Sequence, residues 1–393
     1  TRRKPKTELI PKPPTPRLHT LPHDRCKVEH MVTVRVPLWA ATNQQFKFHV
    51  TADPNMPQAA TTSPTELTIT GFELISAAIF SGRPSHLLQN PQNSSNAAFA
   101  QWRATSCLHH LEPVTINNSV HLQRPRNFHT EVDPTEKGYL NFSLGSTLTL
   151  AYLKKKLGIR WLAHYSLLSN APQYNVVRNA PGRIEPDYIG LDSRHHFVAA
   201  EAKGRMILDS TTKTKLRQKT QTGVVKSVNN QRTLRKYGIA AIAGGPSIEL
   251  FATDPEIEVA LPTPRAWVSR YYEYVRAVCG EEIDEINTAH EPITENKSEF
   301  EWIPVQISLP DPVRAWSSEL IPRQQEHEML DGELRQEITE EEWRQITVSA
   351  REHFDTSPKG EGGSAQDKDY KWAILSDLTA ITTVKDYRDP SAF

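Results

Sequence analysis

The residues best suited to chemistry lie in one stretch, Glu185-Pro-Asp-Tyr-Ile-Gly-Leu-Asp-Ser-Arg-His-His-Phe-Val-Ala-Ala-Glu-Ala-Lys203. Its two extended-looking runs, joined around Ser193-Arg194-His195, predict a β-hairpin. With the turn centred at Arg194, Asp187 falls opposite Glu201, and Glu185 opposite Lys203. Glu201 and Lys203 are two residues apart and share a face. Ala200 and Ala202 take the other face and are small enough to lie under a helix. Two carboxylates and one ammonium therefore meet on one sheet surface. Neighbouring carboxylates repel, more so when buried, and a divalent cation between them removes the conflict. The chemistry that wants this set is hydrolysis of a phosphodiester. Asp187 and Glu201 would hold Mg²⁺, or Mn²⁺ in its place, with the Ala202 carbonyl as a third ligand. The metal would polarise the phosphate and acidify a bound water. Lys203 would orient that water or offset charge in the transition state. A register slip of one residue would move Asp187 off the face of Glu201.

Other elements must position this hairpin. Before it, Ser146 can cap a helix that opens at Thr147 and continues past Gly158 to Leu168. Leu150, Leu153, Leu157, Trp161 and Tyr165 follow its 3–4 spacing. After it, Thr211–Lys236 is polar, basic and of helical composition, with a break near Gly223. Ile239–Ala243 and Ile248–Ala252 read as strands around Gly244-Gly245-Pro246, and Arg265–Cys279 as a helix. Further out, Met31–Pro37, Gln45–Thr51 and Glu66–Thr70 alternate as strands do. Phe72–Phe80 is a short helix or a buried strand, and Ala98–His110 an amphipathic helix. Leu111–Lys137 has little regular pattern. Glu299–Leu309 reads as a strand, Thr339–Phe354 as a helix with an acidic start, and Lys371–Ala380 as a last helix.

Pro186-Asp187 followed after thirteen residues by Glu201-Ala202-Lys203 resembles the PD-(D/E)xK nuclease superfamily. The resemblance covers roughly Ser143–Pro255, under a third of the chain. It implies an α/β fold with a restriction-endonuclease-like αβββαβ core, a mixed sheet flanked by helices. It implies a Mg²⁺-dependent endonuclease acting on DNA, with Gln218 or Lys219 of the basic helix assisting at the phosphate. Nucleases of this kind often serve defence or restriction against foreign DNA. Cutting both strands of a duplex implies a homodimer or larger assembly. Many members add an acid from the first helix, but Thr147–Leu168 contains none. Glu136 precedes it and would serve only if the chain folds back.

Charge supports a polyanionic partner less simply. The chain carries 46 basic and 46 acidic side chains in 393 residues. That balance hides an asymmetry. Lys203–Lys236 holds ten Lys/Arg and only Asp209 as an acid, whereas Glu281–Asp355 holds twenty acids and six Lys/Arg. Lys213, Lys215, Arg217, Lys219 and Lys226 are the expected contacts to a DNA backbone. The acidic part is a separate domain, a partner surface or a mask over the basic block. Four regions follow: a Pro-rich basic arm at 1–27, an α+β region at 28–142, the core at 143–280 and the acidic region at 281–393.

Other chemistry is poorly supported. No window reaches the ~20 apolar residues that span a bilayer. The basic start Thr1-Arg-Arg-Lys-Pro-Lys, with no apolar run after it, predicts no secretory leader. Three scattered cysteines argue for a reducing cytoplasm. No GxxxxGK[ST] is present, so a nucleotide-driven step would need a separate ATPase or sensor subunit. His109-His110 and Cys107 lack partners at useful spacing, and His195-His196 would sit near the site as turn residues. The competing reading is a non-catalytic nucleic-acid-binding or assembly subunit, with the hairpin merely structural.

Overall fold

The computed structural model describes residues 31–42, 44–53, 66–82, 95–169, 186–192, 196–218, 234–253, 264–279, 302–320, 338–356 and 372–383. It opens with β1 (Met31–Pro37), β2 (Gln45–Ala52) and β3 (Glu66–Thr70). α1 (Gly71–Phe80) follows β3 directly. Its ambiguity in the sequence is resolved by a capping box: Thr70 Oγ1 accepts from Glu73 N, and the Glu73 carboxylate accepts from Thr70 N at 2.8 Å. Next come α2 (Ser95–Leu108), the hairpin β4 (Glu112–Ile116) and β5 (Ser119–Gln123), and the single turn α3 (Phe128–Glu131). The expected patternless stretch 111–137 thus holds a hairpin turned at Asn117 and Asn118, both with positive φ.

The helix before the site differs from the expectation. α4 runs from Pro134 to Leu157, not from Thr147 to Leu168. Asp133 caps it, reciprocated by Glu136, with Pro134 at the first helical position. Gly158 ends it in the left-handed region at φ 66° and donates its N–H to Leu153 O. Trp161–His164, expected inside that helix, is instead the fully buried strand β6. After α5 (Ser166–Ser169) come β7 (Tyr188–Leu191), β8 (Phe197–Arg205), α6 (Ser210–Gln218), β9 (Leu234–Ile242), β10 (Glu249–Thr253) and α7 (Pro264–Cys279). β11 (Trp302–Ser308), α8 (Asp311–Glu319) and α9 (Glu340–Thr356) follow. The segment expected as a final helix is the hairpin of β12 (Trp372–Ile374) and β13 (Ala380–Thr383), with Leu378 at positive φ in its turn.

A curled mixed sheet of seven strands, ordered β3-β2-β10-β9-β8-β7-β6, forms the body of the α/β fold. β6, β7 and β8 make an antiparallel meander, and β9 lies parallel to β8. A parallel neighbour needs a crossover, and α6 lies in it. β10 runs antiparallel to β9 and parallel to β2. α4 packs on β8 and β9 from one face, and Leu216 of α6 covers β9 from the other. A second sheet, β1-β11-β13-β12, joins strands from the two ends of the chain. Sheet pairing therefore crosses residues 142 and 280, where regional divisions were expected.

Candidate active site

The hairpin has the expected register. Tyr188 lies opposite Ala200 and Leu191 opposite Phe197. Asp187, one residue before β7, is therefore level with Glu201. β7 begins here, but β8 continues to Arg205, so the two strands part at this point. In a strand the N–H and C=O of one residue point to the same side. At Ala202 both face the fork left by β7. The N–H donates to Asp187 Oδ2 at 2.9 Å. The carbonyl accepts from Lys203 Nζ at 3.1 Å. The same ammonium donates to Glu201 Oε1. Glu201 is 2% exposed and the Lys203 side chain 16%. Asp187, Glu201, the Ala202 backbone and Lys203 thus converge at one point. The Glu185 position lies outside the described residues.

The frame around this point is rigid. Beneath it, α4 crosses β8 backbone to backbone. A Cβ on Gly145 would collide with Lys203 and Gly204, and one on Gly204 with the carbonyl of Asn141. On the other face, Glu201 neighbours Gly238 of β9. A Cβ on Gly238 would come within 2.9 Å of Leu216 Cγ and of Thr253 Cγ2. The missing side chain lets α6 settle on the sheet beside the carboxylates. Asp209, the one acid of the basic block, caps α6 by accepting from Thr212 N at 2.6 Å. Lys203, Ala240 and Phe251 form one row, and Lys213 Nζ lies 5.5 Å from the Phe251 ring centroid. Lys213 is therefore on the face of Lys203, two strands or roughly 10 Å away. Lys215, Arg217 and Gln218 belong to the last turns of α6. Lys219 and Lys226 lie outside the described residues.

Two expectations change, and a third holds. Glu136 is at the start of α4, exposed, and its carboxylate accepts from Asp133 N at 3.2 Å. It serves the cap, and α4 meets β8 further along, at Asn141 and Gly145. His196 is at the opposite end of the hairpin from Asp187, five residues or roughly 16 Å along β8 from Glu201. There its Nδ1 faces Asp192 Oδ2 at 3.3 Å and closes the turn. His195 lies outside the described residues. Cys107 is inert: burial pushes its thiol up to about 11, so no thiolate forms at neutral pH.

One structural neighbour of the candidate site was not legible in the sequence. Arg124, 5% exposed, donates to His110 O, Leu140 O and Asn141 Oδ1 at 3.1–3.2 Å, and its Cζ lies 4.4 Å from the Phe128 centroid. It ties β5 to the part of α4 that supports Gly204. Burial lowers its guanidinium pKa to about 10, still fully charged at neutral pH. No pattern marks a buried arginine held by carbonyls. The glycines did leave a signal, since Gly inside a helix or strand often marks a close backbone approach.

Among the described residues, no group of three or more His, Cys, Asp or Glu converges as metal ligands. The donor set is two carboxylates and one carbonyl. Two of its oxygens, on Glu201 and Ala202, already meet on one cation, the Lys203 ammonium. Hard oxygens converging in this way fit Mg²⁺ or Mn²⁺. No helix among the described residues is long and apolar enough to cross a membrane. No protein-family model, no curated protein and no solved structure matches the chain.

Proposed function

We propose that the chain is a divalent-metal-dependent endonuclease of the restriction-endonuclease-like fold, hydrolysing DNA phosphodiester bonds. The observation that carries this reading is the convergence of Asp187, Glu201, the Ala202 carbonyl and Lys203 at the fork between β7 and β8. The order α4-β6-β7-β8-α6-β9, with β9 parallel to β8, supports the αβββαβ core. Bound Mg²⁺, or Mn²⁺, would supply a polarised phosphate and an acidified water. Asp187 and Glu201 would hold the cation, and the burial of Glu201 strengthens its attraction by keeping water out. Lys203 would offset the charge that develops on the phosphate oxygens. Lys213 and the basic turns of α6 would lie along the DNA backbone. A duplex cut needs two such sites, so a homodimer or larger assembly is expected. A defence role in the cytoplasm, with a separate ATPase or sensor subunit for any nucleotide-driven step, is the biological form of this proposal.

Supercoiled plasmid tests it directly. The protein with Mg²⁺ nicks the plasmid, and a chelator stops it. Asp187→Asn, Glu201→Gln and Lys203→Met each lose roughly 100-fold or more in rate. A parent that never nicks, or variants that cut as well as the parent, would show the reading to be wrong. The direct Glu201–Lys203 pair also suits a second reading, a non-catalytic nucleic-acid-binding or assembly subunit in which that pair is structural. Under it, the protein shifts DNA in a gel but leaves it intact with every divalent cation.

A further inference from the structure

We propose that Lys203 is the resident counter-cation of this site, and that a divalent cation binds by displacing its ammonium from Glu201 and Ala202. The inference rests on the metal-dependent reading and concerns how that site is filled. Lys203 Nζ makes two contacts, to Glu201 Oε1 and to the Ala202 carbonyl. Those are two of the three oxygens that the cation would use. The third, on Asp187, is held to the same residue through Ala202 N. An ammonium and a dication cannot share these oxygens, because like charges at such separation in a dry site repel strongly. One must leave.

The fold decides which part can move. Lys203 pairs with Ala240 in the β8–β9 ladder, and Gly204 is pinned beneath Asn141. Glu201 is almost wholly buried. The backbone and the carboxylate stay, and only the four-carbon stem of the lysine is free to swing. It is also the more exposed partner, at 16% against 2%. Displacement carries the ammonium outward, toward the side from which a phosphate would approach. Metal entry and presentation of the lysine to substrate are then one event. The resident ammonium holds metal affinity down, and it keeps the Glu201 carboxylate partly neutralised.

Mn²⁺ binding to the full chain without DNA, followed by electron paramagnetic resonance of free Mn²⁺ at neutral pH, tests the exchange. Lys203→Met binds Mn²⁺ roughly tenfold more tightly than the parent, because the competing cation is gone. Glu201→Gln loses binding. Equal or weaker binding by Lys203→Met, with binding still dependent on Glu201, overturns the exchange and leaves the metal site standing. No saturable binding to the parent, or binding unchanged by Glu201→Gln, overturns the metal-dependent reading itself. A second measurement uses only the parent. Saturating Mg²⁺ raises the rate at which an amine-reactive ester modifies Lys203, read by peptide mass mapping, by roughly fivefold as its contacts open. An unchanged rate at a Mg²⁺ concentration shown to saturate the site overturns the exchange, whether or not Lys203→Met folds.

Discussion

At the scale of single residues, the site is a buried ion pair, and such pairs are more sensitive to half-removal than to full replacement. Lys203→Met alone leaves the Glu201 charge in a nearly dry place and is expected to destabilise by about 3 kcal/mol. Glu201→Gln with Lys203→Met removes both charges and should recover most of that loss, as urea unfolding would show. A variant tested for catalysis must therefore be compared at equal folded fraction. His110 gives a second residue-scale prediction. Burial, then His109 and Arg124, lowers its pKa from the ordinary 6.5 to about 4. The folded chain prefers the neutral ring. Its contribution is complete above pH 6.5 and is lost as pH falls toward 4. His110→Phe should flatten the fall in urea midpoint across that window. An equal slope in parent and variant would refute the assignment.

At the scale of elements, the reading of the sequence succeeded where the partner was local. Asp187 and Glu201 are close in sequence, and alternation along two short strands was enough to align them. It failed where two signals of different range overlapped. The 3–4 spacing of Leu150, Leu153 and Leu157 runs into Trp161 and Tyr165, yet every residue of β6 is buried. Buried strands have no polar face, so their periodicity cannot be told from that of a helix. The stop at Gly158 and the start at Asp133-Pro134-Thr135-Glu136 were both present in the sequence. The hairpin β12–β13 was unreadable for another reason. Its neighbour β11 lies more than sixty residues upstream. The close crossing of α4 and β8 makes a sharp prediction. Gly145→Ala should cost about 3 kcal/mol or more, since the added methyl meets backbone rather than a movable side chain. Gly138→Ala in the same helix meets nothing within 4 Å and should stabilise by about 0.5–1 kcal/mol. Thermal melts that rank the two together would refute this account of the crossing.

At the scale of the whole molecule, the described acidic segments are woven into the fold. Trp343 of α9 packs on Trp161 at 4.8 Å and under Arg160 at 5.0 Å, at the β6 edge of the sheet. α6 covers β9, three places along the strand order. The turn of β12–β13 delivers Asp377, wholly buried, to Lys154 Nζ at 2.6 Å. Thr379 and Tyr271 also donate to its carboxylate, and Tyr272 to its backbone carbonyl. Burial raises the pKa of this carboxyl, but Lys154, Tyr271 and Thr379 lower it more, leaving it below its ordinary value. Its stabilisation is therefore present above about pH 4 and lost as pH falls further. Asp377→Ala should cost about 3–5 kcal/mol at neutral pH, measured in urea, because Lys154, Tyr271 and Thr379 lose their partner together. A loss below 1 kcal/mol would show that the hairpin is docked by its apolar contacts alone.

The pairing of β1 with β11 also sets a schedule for synthesis. Met31 must wait for Ser308, some 280 residues later. At about 5–20 residues per second, a ribosome takes roughly 15–55 seconds to make that stretch. During that time Val34 and Val36 have no strand to pair with on that side. A chain halted after α7 would carry the residues of the candidate site and still present an open apolar edge. The length of the nascent chain, rather than completion of the candidate site, determines when this edge is covered against aggregation.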